Sequence, residues 1–109
     1  MANTFKNAEK SLTNTTALVY GPVPAGATAI VLLAQATNVG SGAKPVSFCW
    51  YDSSNGNKLT ELVKLLSVPE KAAVGLIAGK LVLETGDYLH ANSDASSAID
   101  LTISVLEIT

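Results

Sequence analysis

The chain predicts an all-β fold: an antiparallel β-sandwich or jelly roll of about eight strands, in a single domain over 1–109. Three observations carry this reading. Ile99, Leu101, Ile103 and Val105 fall on one parity and Asp100, Thr102 and Ser104 on the other. That period of two belongs to a half-buried strand, whose apolar side needs a second sheet to cover it. Turn signals, among them Gly21-Pro22, Asn55-Gly56 and Gly86-Asp87, recur between short apolar runs. The longest apolar stretch, Ala29 to Ala34, is strand-sized and far short of the roughly 20 residues that span a bilayer.

The elements follow in order. Phe5 to Leu12 is a polar strand suited to an edge, and residues 1–16 read as an extended arm or an edge strand. Ala17 to Tyr20 is a short strand stopped by Gly21-Pro22. Pro22 to Gly26 is a turn, because proline fixes φ and Gly26 admits positive φ. Ala27 to Thr37 is the longest apolar strand, and Asn38 to Lys44 reads as a flexible loop. Pro45 to Asp52 places Val46, Phe48 and Trp50 on one parity, which assigns Trp50 to the core. Ser53 to Asn57 reads as a hairpin loop.

Leu59 to Val68 fits two patterns. Leu59, Leu62, Val63 and Leu66 have the i, i+3, i+4, i+7 spacing of an amphipathic helix. Its flanking Asn-Gly turn and Pro69 favour a strand of a meander, so the segment is a strand or a short helix around 58–67. Ala72 to Ile77, Leu81 to Glu84 and Tyr88 to Ala91 are further strands, and Thr85-Gly86-Asp87 is a tight turn between the last two. Gly86 supplies an unusual φ there and Asp87 bonds nearby amides. Asn92 to Ser97 is a small-residue loop before the final strand. That strand runs almost to Thr109, so if a flexible segment clamps subunits together, it is expected in 1–16 or in a loop such as 38–44.

Composition narrows the function. Charged residues make up 15% of the chain and apolar residues 48%, a balance that points to surface covered by other protein. All seven basic residues are lysine, they are scattered, and the net charge is -2. Without arginine or a basic patch, nucleic-acid binding is not expected. No stretch suits a membrane span or the apolar core of a secretory signal, so use without export is the expectation.

Few residues suggest chemistry. Cys49 is the one cysteine and sits in Phe48-Cys49-Trp50-Tyr51, where a buried, inert thiol is expected. His90 is the one histidine, and no serine has a nucleophile-elbow context, so no catalytic residue is assigned and no enzyme is expected. One histidine and one cysteine do not make a zinc site. Asp52 to Gly56 lacks the alternating ligands and distal glutamate of a calcium loop, so no metal and no cofactor are expected. Tyr20, Tyr51, Tyr88 and His90 are the candidate interface residues, since tyrosine is enriched where one protein meets another.

Three segments in order carry a resemblance: Val23-Pro24-Ala25-Gly26-Ala27-Thr28-Ala29-Ile30-Val31, Gly79-Lys80-Leu81-Val82-Leu83-Glu84-Thr85-Gly86-Asp87-Tyr88-Leu89, and Leu101 to Thr109. Together they resemble small β-sandwich virion structural proteins of tailed bacteriophages, including cyanophages. The resemblance implies a capsid decoration or cement protein in the virion, assembled in the host cytoplasm. Its partners would be copies of itself, with a trimer as the implied unit, and the major capsid protein. A neck, tail or fibre-associated protein is the alternative, as is a carbohydrate-binding adhesion module.

Overall fold

A computed structural model describes residues 2–109; Met1, the first residue of the expected N-terminal segment, lies outside them. The described residues form nine strands and a single 3-10 turn. The strands are β1 (Asn3–Ser11), β2 (Ala17–Tyr20), β3 (Thr28–Asn38), β4 (Lys44–Asp52) and β5 (Lys58–Val68). They continue as β6 (Ala73–Gly75), β7 (Leu81–Leu83), β8 (Tyr88–Ser93) and β9 (Ile99–Ile108). The 3-10 turn, Ser53–Asn55, joins β4 to β5.

Two antiparallel sheets face each other, which is the β-sandwich the alternation predicts. One has five strands in the order β1-β9-β3-β6, with β7 pairing further along β3. The other has four, in the order β2-β8-β4-β5. Between the sheets lies one apolar core in which Phe48, Leu83, Leu89, Ile99, Leu101 and Ile103 are fully buried. β9 is the strand the parity marks most strongly, and it has β1 on one edge and β3 on the other. Its inward row from Ile99 to Val105 is buried throughout, while Asp100 to Ser104 on the other parity reach solvent.

β5 resolves the ambiguity at 58–67 in favour of strand; the short helix does not form. The helix-like spacing has a physical cause. The β4–β5 register shifts twice, between Val46 and Phe48 and between Phe48 and Cys49. Each shift flips the parity of the residues beyond it. Leu62, Val63 and Leu66 therefore all pack against the core, although no strict alternation links them. Leu65 takes the extra position of one irregularity, with φ 54°, and stands 66% exposed.

β1 is an edge strand bonded to β9 alone, and its backbone pairing extends to Ala2 and Thr109, whose amides and carbonyls exchange bonds. The loop over 38–44, expected to be flexible, is organised around a buried side chain. Asn38 Nδ2 donates to the carbonyls of Gly42 (2.8 Å) and Val68 (3.0 Å), and its Oδ1 accepts from the Gly40 amide (3.0 Å).

Candidate assembly surfaces and their supports

The outer face of the four-stranded sheet gathers three of the four candidate interface residues. β4 points Val46, Phe48 and Trp50 inward, so Ser47, Cys49 and Tyr51 point out. β8 likewise presents Tyr88 and His90 outward and buries Leu89 and Ala91. The register sets Tyr51 opposite Tyr88 and Cys49 opposite His90. The two tyrosine rings stack at 4.8 Å with planes 7° apart, and the imidazole lies 4.9 Å from Tyr51 and 5.2 Å from Tyr88. Burial against these rings holds the His90 pKa below its ordinary value, so the ring is neutral at pH 7. Desolvation raises the Tyr51 hydroxyl for the same reason.

Beside this cluster lies a shallow depression of about 210 Å³ that includes Cys49, Leu59, Glu61, Lys64 and Leu65. Cys49 is 5% exposed. Desolvation, and then the charge of Glu61, push its thiol pKa up, the opposite of what a nucleophile requires.

Tyr20 stands apart from the aromatic cluster. A register shift after Leu18 turns it inward, toward the end of the sandwich. Its hydroxyl donates to Glu107 Oε2, while Lys6 Nζ approaches Glu107 Oε1 at 2.9 Å. Glu107 lies on the inward row of β9 and is buried. These two donors hold its carboxyl below the ordinary carboxylate value, and burial plus the adjacent carboxylate raise the Tyr20 hydroxyl. The clasp ties β1, β2 and β9 together across both sheets. Sequence reading missed it, although a charged residue on an otherwise apolar parity is a signal for a buried partner.

The turn residues lie at one end of the sandwich. Gly26 has φ 79° in the turn before β3, where the Ala27 amide donates to Pro24 O. Gly86 has φ 89°, and a Cβ there would stand 2.6 Å from Ser53 Oγ, so both conformation and space select glycine. Asp87 is 1% exposed and accepts four bonds. Oδ1 takes the Ser53 amide (2.9 Å) and hydroxyl (3.2 Å), and Oδ2 takes the Glu84 amide (2.9 Å) and Trp50 Nε1 (3.3 Å). Asp52 and Glu84 bring their carboxylates near Asp87. The four donors already satisfy Asp87, and Asp52 Oδ1 is engaged by Ser54. This geometry joins two turns. Among the described residues no buried side-chain nitrogen or oxygen lacks a partner.

No family model matches the chain, and no curated protein matches its sequence. Its fold is similar to a solved structure from work on Bacillus endospore appendages, described as forming a novel family of disulfide-linked pili. The TM-score is 0.60 at 13% identity, over 99% of this chain and 87% of that chain. This finding overturns the phage resemblance. The turn and strand segments that carried it lie in a β-sandwich, an architecture not confined to virion proteins. The capsid decoration role, the major capsid protein as partner and a location in the virion fall with it.

Proposed function

We propose that this chain is a non-enzymatic structural subunit that associates with copies of itself into a fibre. The observation that carries the reading is the fold similarity along 99% of the chain to a protein described as forming pili. Composition supports it. With 15% charged residues and large apolar side chains such as Phe5, Leu65 and Val82 exposed, the surface gains by contact with protein. The polar groups inside the sandwich hold turns and sheets together and offer no reactive constellation, which fits a building block.

The mode of linkage differs from the one named for that pilus protein. A continuous disulfide-linked chain needs two thiols per subunit. These 109 residues hold one, Cys49, and it is buried. Contacts between copies within this chain are therefore non-covalent, and many weak ones sum along a polymer.

Electron microscopy of the purified protein across a concentration series tests the reading. Uniform filaments that appear above a threshold concentration are the expected result. Light scattering that reports only monomer at every concentration overturns it.

A further inference from the structure

Each sheet of the sandwich has two edges, and three of the four are guarded. β2 is four residues long, with a register shift inside it. β6 and β7 divide the far edge of the five-stranded sheet into two pieces of three residues each. β5 is long, but two register shifts break its pairing and Leu65 bulges from it at φ 54°. Short or bulged strands keep a sheet edge from pairing with another chain. β1 has neither defence. It is nine residues long, holds one unbroken register with β9 from Asn3 to Ser11, and contains no proline or glycine.

The backbone bonds show which groups this edge offers. Ala2 and Thr109 exchange bonds, and the Leu12 amide donates to Ile99 O at 2.9 Å. Along an antiparallel ladder, residues alternate between bonding the partner strand and bonding away from it. The even-numbered residues of β1 therefore bond β9. Asn3, Phe5, Asn7, Glu9 and Ser11 aim their N–H and C=O groups at the open side. Among the described residues no strand lies there, and all five are exposed. Their side chains point away from the core, whereas Lys6 and Ala8 share the inward rows of Val105 and Ile103.

We infer that two copies of this chain pair through β1, antiparallel about a two-fold axis at Asn7, and so join their five-stranded sheets edge to edge. The occupant of the edge is β1 of a second copy because the strand complements itself in one register. The open-side groups belong to odd-numbered residues, so only registers that oppose odd to odd are available. Centred on Asn7, the strand overlaps over its full length. Lys6 then stands opposite Ala8, Lys10 opposite Thr4, and Glu9 opposite Phe5. Centred on Lys6, the strand sets Lys6 against itself; centred on Ala8, it sets Lys6 against Lys10. Like charges directly opposite destabilise a strand pair, which leaves the Asn7 register. Edge lysines ordinarily deter pairing, but Lys6 is held by Glu107 at 2.9 Å and Lys10 lies near the end of the strand. Phe5, 74% exposed, gains the aliphatic stem of the partner's Glu9 as cover. The pairing goes beyond the fibre reading and does not depend on it. A two-fold contact closes on itself, so a fibre needs a further contact between such pairs.

Two probes test it. Asn7→Pro removes an N–H from the open side and none from the β9 ladder, a place where an edge strand accepts proline. Circular dichroism checks that the variant keeps its fold. Sedimentation across a concentration series is expected to show dimers of the wild type, and only monomer of Asn7→Pro over the same range. The second probe reads the register in a Cys49→Ser background. Asn7→Cys sets two thiols across the axis with Cα atoms about 5.5 Å apart, within disulfide reach. Phe5→Cys sets them about 14 Å apart, beyond it. Mild oxidation is expected to cross-link the first into dimers and to leave the second uncross-linked. Equal cross-linking at the two positions, or none at Asn7→Cys, overturns the pairing. Asn7→Pro protein that forms filaments as the wild type does overturns the pairing and leaves the fibre reading standing. A wild type that stops at a dimer, cross-linked at position 7, sustains the pairing and overturns the fibre reading. A wild type that is monomeric at every concentration overturns both.

Discussion

Glu107 shows how one carboxylate fixes an edge. The rest of the inward row of β9 is apolar, and a charge there is costly unless paired. Lys6 and Tyr20 supply the pairing, Lys6 from β1 beside it and Tyr20 from β2 in the facing sheet. Because the folded state lowers the Glu107 pKa below its ordinary 4.5, the unfolded chain takes up the proton first as acid is added. The stabilisation is therefore complete above the ordinary value and is lost as pH falls through the folded one. Glu107→Gln is expected to lower stability at pH 7 by about 1–3 kcal/mol. Urea midpoints measured from pH 7 to pH 3 are expected to converge for the two proteins in acid. The wild type should show the steeper fall below the ordinary carboxylate range.

At the scale of elements, β9 and β5 mark what the sequence reveals. β9 alternates without interruption from Ile99 to Ile108, so its place in the core was readable residue by residue. β5 has two register shifts, and each scrambles the parity on which the reading depends. Its bulges exist only relative to β4, a partner the local sequence does not name. The same reason hid the Tyr20–Glu107 clasp and separated Tyr20 from Tyr51, Tyr88 and His90. Which tyrosines share a face depends on a register shift in β2. The Asp87 turn was legible because its glycine and aspartate act locally. That its carboxylate reaches Trp50 and Ser53 was not, since those lie more than thirty positions away. Leu65 offers a direct check on the β5 geometry. A β-carbon at φ 54° is strained by about 1–2 kcal/mol, and this side chain is mostly exposed. Leu65→Gly is expected to leave stability unchanged or raise it by up to about 1 kcal/mol in a thermal melt, less the entropy glycine loses on folding. A loss of several kcal/mol would mean the bulge sits elsewhere.

For the whole molecule, the sandwich separates two tasks. Its inward faces and end turns make a rigid block, and on the fibre reading proposed above its outward faces would meet neighbours. Burial of Cys49 keeps thiol chemistry out of the second task. Fibres of this chain are therefore expected to dissociate in denaturing gels without reductant, and Cys49→Ser is expected to assemble as the wild type does. Subunits that remain linked until reductant is added would place a disulfide in the assembly. Comparison with the endospore appendage protein shows the same architecture at 13% identity. A sandwich of this kind thus tolerates nearly complete replacement of its residues while keeping its strand plan.

The placement of Trp50 has a practical consequence. It is the one tryptophan in the chain, it packs against the core, and its indole donates to the buried Asp87. The tyrosines that face outward are a separate set of chromophores. Indole emission should follow the opening of the sandwich and ignore what touches its surface, while tyrosine signals respond to contact. Two spectral channels in one unlabelled protein thus distinguish a subunit that has unfolded from one that has merely let go of its neighbour.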